Sequence, residues 1–384
     1  MLEQYSLMMP KKVINGSNAL EQIETIIKGQ YKKVAVFTDK GIRNSGITEY
    51  PLKILEQCNS DIVIFDELPS EPTCDEAQRV VEDFRKSGAD FIIAIGGGSV
   101  MDVAKLASIA CTDAYGIRDL LDSPLTGKKL VKTLMIPTTA GTGSEATPNS
   151  IVTVPEKNLK IGIVNPEMLA DAVILDGRML KELPKNIAAA TGIDALAHAI
   201  ECYTSNKANP FSDLFALEAL KLIFENIIPA CEDRNAVEEK NKMLLAAFYA
   251  GAAITASGTT AVHALSYPLG GRYHIPHGVS NAIMLLPVLK FNRMACQKEY
   301  AEIYNAVTKI RDGKSQDEKA DWILNQISTI IDRLEIPSSL KSFGIGDLDL
   351  EDLVHDGMEV KRLLNNNKRV VTAEDARSLY LEVM

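Results

Sequence analysis

Histidine is scarce in this sequence, tryptophan occurs once, and no two cysteines are spaced as a pair. Cys58, Cys74, Cys111, Cys202, Cys231 and Cys296 are scattered, with no C-x-x-C. That pattern fits a reducing compartment better than a disulfide framework. The N-terminus, MLEQYSLMMPKK, has no long apolar core and no small-residue cleavage motif. No signal peptide is therefore expected, and the expected location is cytoplasmic. Basic charge is in deficit, with 41 Lys and Arg against 51 Asp and Glu and a net charge of −10. Without a basic stripe, nucleic acid is not an expected partner. Met243 to Gly271 carries no charged side chain but includes Thr255, Ser257, Thr259, Thr260 and His263. That polar content predicts buried helices rather than a membrane span, so no membrane partner is expected. The G-x-G-x-x-G fingerprint is missing too.

What is present describes a large folded chain with a real core. Hydrophobic residues make up 46% of 384, enough for one large or two medium domains. Short apolar runs read as buried parallel strands: Val34–Phe37, ending near Asp39, then Asp61–Phe65 and Phe91–Ile95. Glu76–Lys86 reads as an amphipathic helix. After Phe91–Ile95 come Gly96, Gly97 and Gly98, and a helix is predicted from Ser99, with Ser99 and Asp102 spaced like a capping box. Such a glycine loop at a helix start suits phosphate, and with Asp39 it reads as a dinucleotide site. Leu134–Thr147 reads as a strand feeding a hydroxyl-rich loop with Thr138, Thr139, Thr142 and Ser144; the same loop also fits a plain polar surface turn. Lys160–Asn165 and Ala172–Leu175 look like further strands. Beyond about Gly177 the texture turns helical, with breaks expected near Asn209–Pro210, Pro268–Gly271 and Pro337. The expected fold is an N-terminal α/β dinucleotide-binding domain with a mostly parallel sheet, residues 1–180, followed by an all-helical domain, residues 181–384.

Four of the five histidines fall between 198 and 277. In TGIDALAHAIE, Asp194 and His198 are four residues apart on a helix and point the same way. With His263 and His277 they form a carboxylate and imidazole set suited to a divalent metal. Each histidine alone could equally be an ordinary core or surface residue. His274 stands three residues before His277 and is the candidate to relay a proton, or else to line the pocket. Glu201, one turn after His198, is expected behind a ligand rather than as one.

The motifs GGGSVMDVAK, IPTTAGTGSE, KIGIVNP, ATGIDALAHAIE and His263 through PHG at 276–278 run nearly the whole length of the chain. Together they resemble the iron-containing (group III) alcohol dehydrogenase family. The resemblance implies the two-domain fold above, NAD(H) or NADP(H), with Asp39 favouring NAD(H), one divalent ion, Fe²⁺ or Zn²⁺, and interconversion of alcohols with aldehydes or ketones. It implies metal ligation by Asp194, His198, His263 and His277. It implies cofactor contacts from Asp39, Gly97, Gly98, Ser99, Asp102, Thr138, Thr139, Thr142, Ser144, Thr147 and Lys160. A homodimer or larger homo-oligomer is the implied assembly. Three departures stand out. Tyr267 replaces a histidine common in relatives, Glu71-Pro72-Thr73 replaces Asn-Pro-Thr, and Arg272 lies between two presumed ligands. A guanidinium there would suit a substrate with an anionic tail, and equally an ordinary surface charge.

The alternative reaction is that of a dehydroquinate synthase-like lyase, which also joins an NAD domain to a helical metal domain. Its phosphate-bearing substrate needs clustered Lys, Arg and Asn, and residues 186–280 are poor in such clusters. The expectation is therefore an aldehyde reductase or alcohol (diol) dehydrogenase.

Overall fold

The computed structural model describes residues 4–69, 71–157, 159–310 and 312–384. They fall into two compact units. One comprises Met8–Leu183 and Arg234–Phe248; the other comprises residues 4–7, Pro184–Asp233 and Tyr249–Met384. The segment Arg234–Phe248 thus groups with the N-terminal residues, a discontinuity that helical texture alone does not reveal.

In the first unit the strands are β1 (Val13–Asn15), β2 (Lys33–Phe37), β3 (Asp61–Phe65), β4 (Phe91–Gly96), β5 (Lys132–Pro137), β6 (Asn149–Val154), β7 (Leu159–Val164) and β8 (Ala172–Leu175). The helices are α1 (Gln22–Ile27), α2 (Lys40–Asn44), α3 (Glu49–Glu56), α4 (Cys74–Ser87), α5 (Gly98–Ala110) and α6 (Ile117–Asp122). Six strands form one sheet in the order β1-β8-β5-β4-β2-β3, with every pairing parallel. Central β4 is buried along its full length, as its unbroken FIIAI run requires. Register places Ile93 opposite Leu134 on one side and Val36 on the other. The chain runs β2 to β3 in one direction and then back past β2 to β4, so the strand order reverses between β2 and β4. In open α/β sheets ligands bind at such a reversal, beyond the carboxyl ends of the strands. Asp39, Gly97 and Thr138 follow the carboxyl ends of β2, β4 and β5.

Lys160–Asn165 is a strand, but not in the parallel sheet. β7 pairs antiparallel with β6 as a separate hairpin. In β6, Ser150, Val152 and Val154 are buried while Ile151 is exposed, the alternation of a ribbon covered on one face. Gly177 follows β8 where a Cβ would lie 2.2 Å from the Val237 carbonyl oxygen, so only glycine fits that contact.

The second unit is helical: α7 (Lys185–Thr204), α8 (Pro210–Glu232), the later part of α9 (Val237–Ala256), α10 (Ala261–Tyr273), α11 (His277–Asn292), α12 (Gln297–Thr308), α13 (Gln316–Arg333), α14 (Leu350–Glu359), α15 (Lys361–Leu364) and α16 (Ala373–Val383). Asn209 caps α8 ahead of Pro210, where the break is expected. The break expected at Pro268–Gly271 is absent: α10 runs through Pro268 and ends at His274, in left-handed conformation with φ 54°. A mid-helix proline removes one N–H bond rather than the whole ladder. The buried Tyr380 hydroxyl donates to the Leu265 carbonyl at 2.7 Å, beside that gap. Among the described residues no single helix is long and apolar enough to cross a membrane. α9 and α10 pass together on composition, but they are bent by 106° where they meet. Their uncharged stretch supplies buried packing residues such as Met243, Leu244, Ala247, Val262 and Leu265.

Candidate metal centre and dinucleotide cradle

Asp194 and His198 lie one turn apart on α7, His263 is the third residue of α10 and His277 the first of α11. One ligand atom from each lies within 4.8 Å of every other. Asp194 Oδ1 is 3.6 Å from the Nε2 atoms of His263 and His277 and 3.9 Å from that of His198. Around a tetrahedral ion with bonds of ~2.1 Å, ligand atoms stand about 3.4 Å apart, so the spacing fits one shared ion. A carboxylate with three imidazoles and no thiolate is also the donor chemistry such an ion takes. Asp194, His198 and His263 are buried, whereas His277 keeps 36% of its side chain exposed and marks the open side. Burial pushes the Asp194 carboxyl up. The imidazoles of His198, His277 and His263 outweigh that and hold it far below the usual carboxylate range.

Two residues behind the ligands complete the ring. Glu201, buried on the same helix, meets His263 Nδ1 through Oε2. Burial raises its carboxyl too, and His263 and Thr260 bring it below its ordinary range. Asn281 went unnoticed in the sequence. Its amide Nδ2 donates to Asp194 Oδ1 at 2.7 Å and lies 3.1 Å and 3.2 Å from Nε2 of His263 and His277. Ser266 Oγ donates to its Oδ1. The available signal was its position four residues after His277 on one helix face. His274 stands outside the cluster, exposed at the end of α10.

Arg272 does not point a free guanidinium at the ligands. It donates to Asp352 at 2.5 Å and Asp356 at 2.8 Å, both on α14. Of the two readings of Arg272, the contacts favour the surface charge: two carboxylates already take the donors that an anionic tail would use.

The dinucleotide residues separate into two groups. Gly97 is the N-cap of α5 and offers no side-chain cap. Ser99 therefore lies inside the first turn, and the expected Ser99–Asp102 capping box does not form. The glycine loop and hydroxyl loop are in contact: a Cβ at Gly98 would lie 2.9 Å from Thr142 Cγ2, and one at Gly97 would lie 3.4 Å from Thr139 Oγ1. Gly97, Gly98, Ser99, Thr139 and Thr142 are all partly exposed there. Asp102, Ser144 and Thr147 instead face inward around Lys105, whose ammonium is 1% exposed. Asp102 accepts from Ser144 Oγ at 2.5 Å and Ile151 N at 2.8 Å, and pairs with Lys105 Nζ at 2.9 Å. Lys105 also donates to Ser144 O at 3.0 Å and to the Asn149 carbonyl. The sequence reading missed Lys105, although it sits one turn after Asp102. The inward group braces the loop that the partly exposed group presents.

Asp39 caps α2, accepting from Ile42 N at 2.8 Å, and is half-buried. Lys160 donates to Glu71 at 2.6 Å. Among the described residues, Thr38 Oγ1, Thr138 Oγ1 and Glu145 Oε1 are buried polar atoms with no hydrogen-bond partner. Two of them directly follow strand ends beside the glycine loop. Orphaned hydroxyls, close-approach glycines and an uncapped helix start together fit a phosphate-bearing dinucleotide.

Comparison with known proteins covers both units. Residues 10–177 match the family described as iron-containing alcohol dehydrogenase, and residues 188–384 match the Fe-containing alcohol dehydrogenase family, C-terminal. Long-chain-alcohol dehydrogenase 1 of Geobacillus thermodenitrificans is 33% identical over 95% of this chain and 93% of its own. A crystal structure of 1,3-propanediol oxidoreductase superposes with TM-score 0.91 at 27% identity, covering 100% of both chains. Sulfoacetaldehyde reductase from Bifidobacterium kashiwanohense, in complex with NAD⁺, superposes with TM-score 0.88 at 28% identity, over 100% of this chain and 99% of its own.

Proposed function

The chain belongs to the iron-containing alcohol dehydrogenase family, and from that premise we propose a role for each unit. The enzyme is a metal-dependent oxidoreductase that moves a hydride between NAD(H) and a small alcohol/aldehyde pair. The lyase alternative is set aside, because both halves match alcohol dehydrogenases. The observation that carries the site assignment is the four-ligand cluster, with its donor atoms within 4.8 Å of one another.

Asp194, His198, His263 and His277 hold one Fe²⁺ or Zn²⁺. Gly97, Gly98, Ser99, Thr138, Thr139 and Thr142 contact the dinucleotide. Asp102, Ser144 and Thr147 keep that loop in place, and Asp39 and Lys160 flank the ribose region. When bound, the ion supplies a Lewis acid for the carbonyl and the nicotinamide supplies the hydride. His277, on the open side, borders the space the reacting group enters. His274 exchanges the alcohol proton with solvent from the exposed end of α10.

The functional division is residues 1–180 for the cofactor and 181–384 for metal and substrate. A short primary aldehyde or diol-derived aldehyde is the proposed substrate class. It is supported by the similarity to 1,3-propanediol oxidoreductase and by the engagement of Arg272 with α14. Six free thiols support a cytoplasmic location, and a homodimer or larger homo-oligomer is the proposed assembly. The test is NADH consumption by purified protein reloaded with Fe²⁺ or Zn²⁺ and given propanal, 3-hydroxypropanal or sulfoacetaldehyde. Turnover of the neutral aldehydes is expected. No NADH oxidation with any aldehyde under either metal would refute the reading.

A further inference from the structure

We propose that Glu201 is a positioning residue for the metal centre: one buried carboxylate fixes both the start of α10 and the tautomer of the imidazole α10 delivers. The proposal rests on the metal-site reading above.

Glu201 follows Asp194 by seven residues and His198 by three, so α7 presents all three on one face. It is 1% exposed. The first N–H groups of any helix lack partners within the helix. At α10 the N-cap residue, Thr260, makes no side-chain cap of its own. Glu201 Oε1 takes that place from another helix. It accepts from Thr260 N at 2.9 Å, Val262 N at 2.9 Å, Thr260 Oγ1 at 2.7 Å and, at 3.4 Å, His263 N. Oε2 is left for His263 Nδ1.

Three of these contacts are backbone N–H donors, which cannot reverse roles. A carboxylate accepts on both oxygens, so it suits them and also takes Nδ1–H. With the proton on Nδ1, the Nε2 lone pair of His263 faces Asp194 Oδ1, 3.6 Å away. Such an outer partner orients a ligating histidine and raises its basicity. A glutamine in this place would bring an NH₂ group into a shell of donors. Turned toward α10, it opposes backbone N–H groups. Turned toward His263, it needs an acceptor at Nδ1, so the ring proton moves to Nε2 and the ligating lone pair is lost.

The test compares wild type, Glu201→Gln and Thr260→Val for Zn²⁺ affinity by chromophoric-chelator competition, alongside ¹⁵N-histidine NMR of the Zn²⁺-loaded wild type. Glu201→Gln should bind Zn²⁺ about 10–100-fold more weakly. Thr260→Val, which loses one hydroxyl contact to the same carboxylate but none to the ring, should stay within about threefold while losing thermal stability. The His263 ring should carry its proton on Nδ1 in wild type. Wild-type affinity in Glu201→Gln, or an unprotonated Nδ1, would overturn the proposal. The NMR result decides the matter even if Glu201→Gln does not fold. Failure of wild type itself to bind one Zn²⁺ per chain would instead overturn the metal-site reading beneath it.

Discussion

Glu145 should make the enzyme lose stability as pH rises, and Glu145→Gln should abolish that loss. The residue sits in the short turn Ser144–Ala146, 2% exposed, with Oε1 lacking a hydrogen-bond partner. Burial pushes its carboxyl from the ordinary 4.5 up to about 7, against the pull of its own backbone N–H and the Lys105 ammonium. A folded-state value above the unfolded one means the folded chain binds the proton more tightly. Stability is therefore fully present below about pH 4.5 and is lost progressively up to about pH 7. Moving from 4.5 to about 7 corresponds to roughly 3 kcal/mol. For a unit of this size that is a change of roughly 6–12 °C in thermal midpoint. Glutamine has nearly the same shape and no charge to bury. The difference in midpoint between Glu145→Gln and wild type should be small at pH 4.5–5 and should grow in the variant's favour by pH 8.5. Scanning calorimetry of both proteins at the two pH values reads it directly. A difference that stays constant with pH, or that favours wild type at pH 8.5, would refute the reasoning.

Three further outcomes follow from the geometry. His198→Ala removes one of four donors, so metal content by elemental analysis and turnover should fall together; full metal content with normal rates would exclude His198 as a ligand. Asp39→Gly should raise the use of NADPH relative to NADH, because a carboxylate beside the ribose accepts from a 2′-hydroxyl and repels a 2′-phosphate; an unchanged ratio of kcat/KM values would remove Asp39 from the cofactor site. Arg272→Ala should affect a neutral and an ω-anionic aldehyde equally and cost no more than about 1 kcal/mol of stability, since its partly exposed contacts run to Asp352 and Asp356. A selective loss on the anionic aldehyde would restore a substrate role.

How legible each feature was depends on how far its causes lie along the chain. The buried strand FIIAI and the shared helix face of Asp194 and His198 are set by periodicity within one element, and the structure has both. Arg272 stayed open between an anion contact and a surface charge because its partners lie 80 and 84 residues away, where nothing in the neighbouring sequence announces them. The partner of Lys160 is 89 residues distant, and it is Glu71, the residue that departs from the family's asparagine. The expected Ser99–Asp102 capping box failed for a local reason. Glycine can start a helix without a side-chain cap, so α5 begins one residue early. Asp102 was thereby freed to pair with buried Lys105. Asn281 shares a helix face with His277, but an asparagine at that spacing points to no particular role until three helices bring their histidine and carboxylate groups around it.

Charge balance gives the buried carboxylate behind the proposed ligands a second role. His263 and His277 come from the first residues of α10 and α11, where helix dipoles place partial positive charge. A divalent ion in that ring adds two more positive charges in a buried setting, which is costly unless matched. Asp194 supplies one negative charge from within the ring. Glu201 supplies the second, also buried, and lays it against the start of α10, so it neutralises the dipole and the ion together. With it, the site is neutral for a divalent cation, and the same hydrogen bonds that keep Glu201 ionised also orient His263.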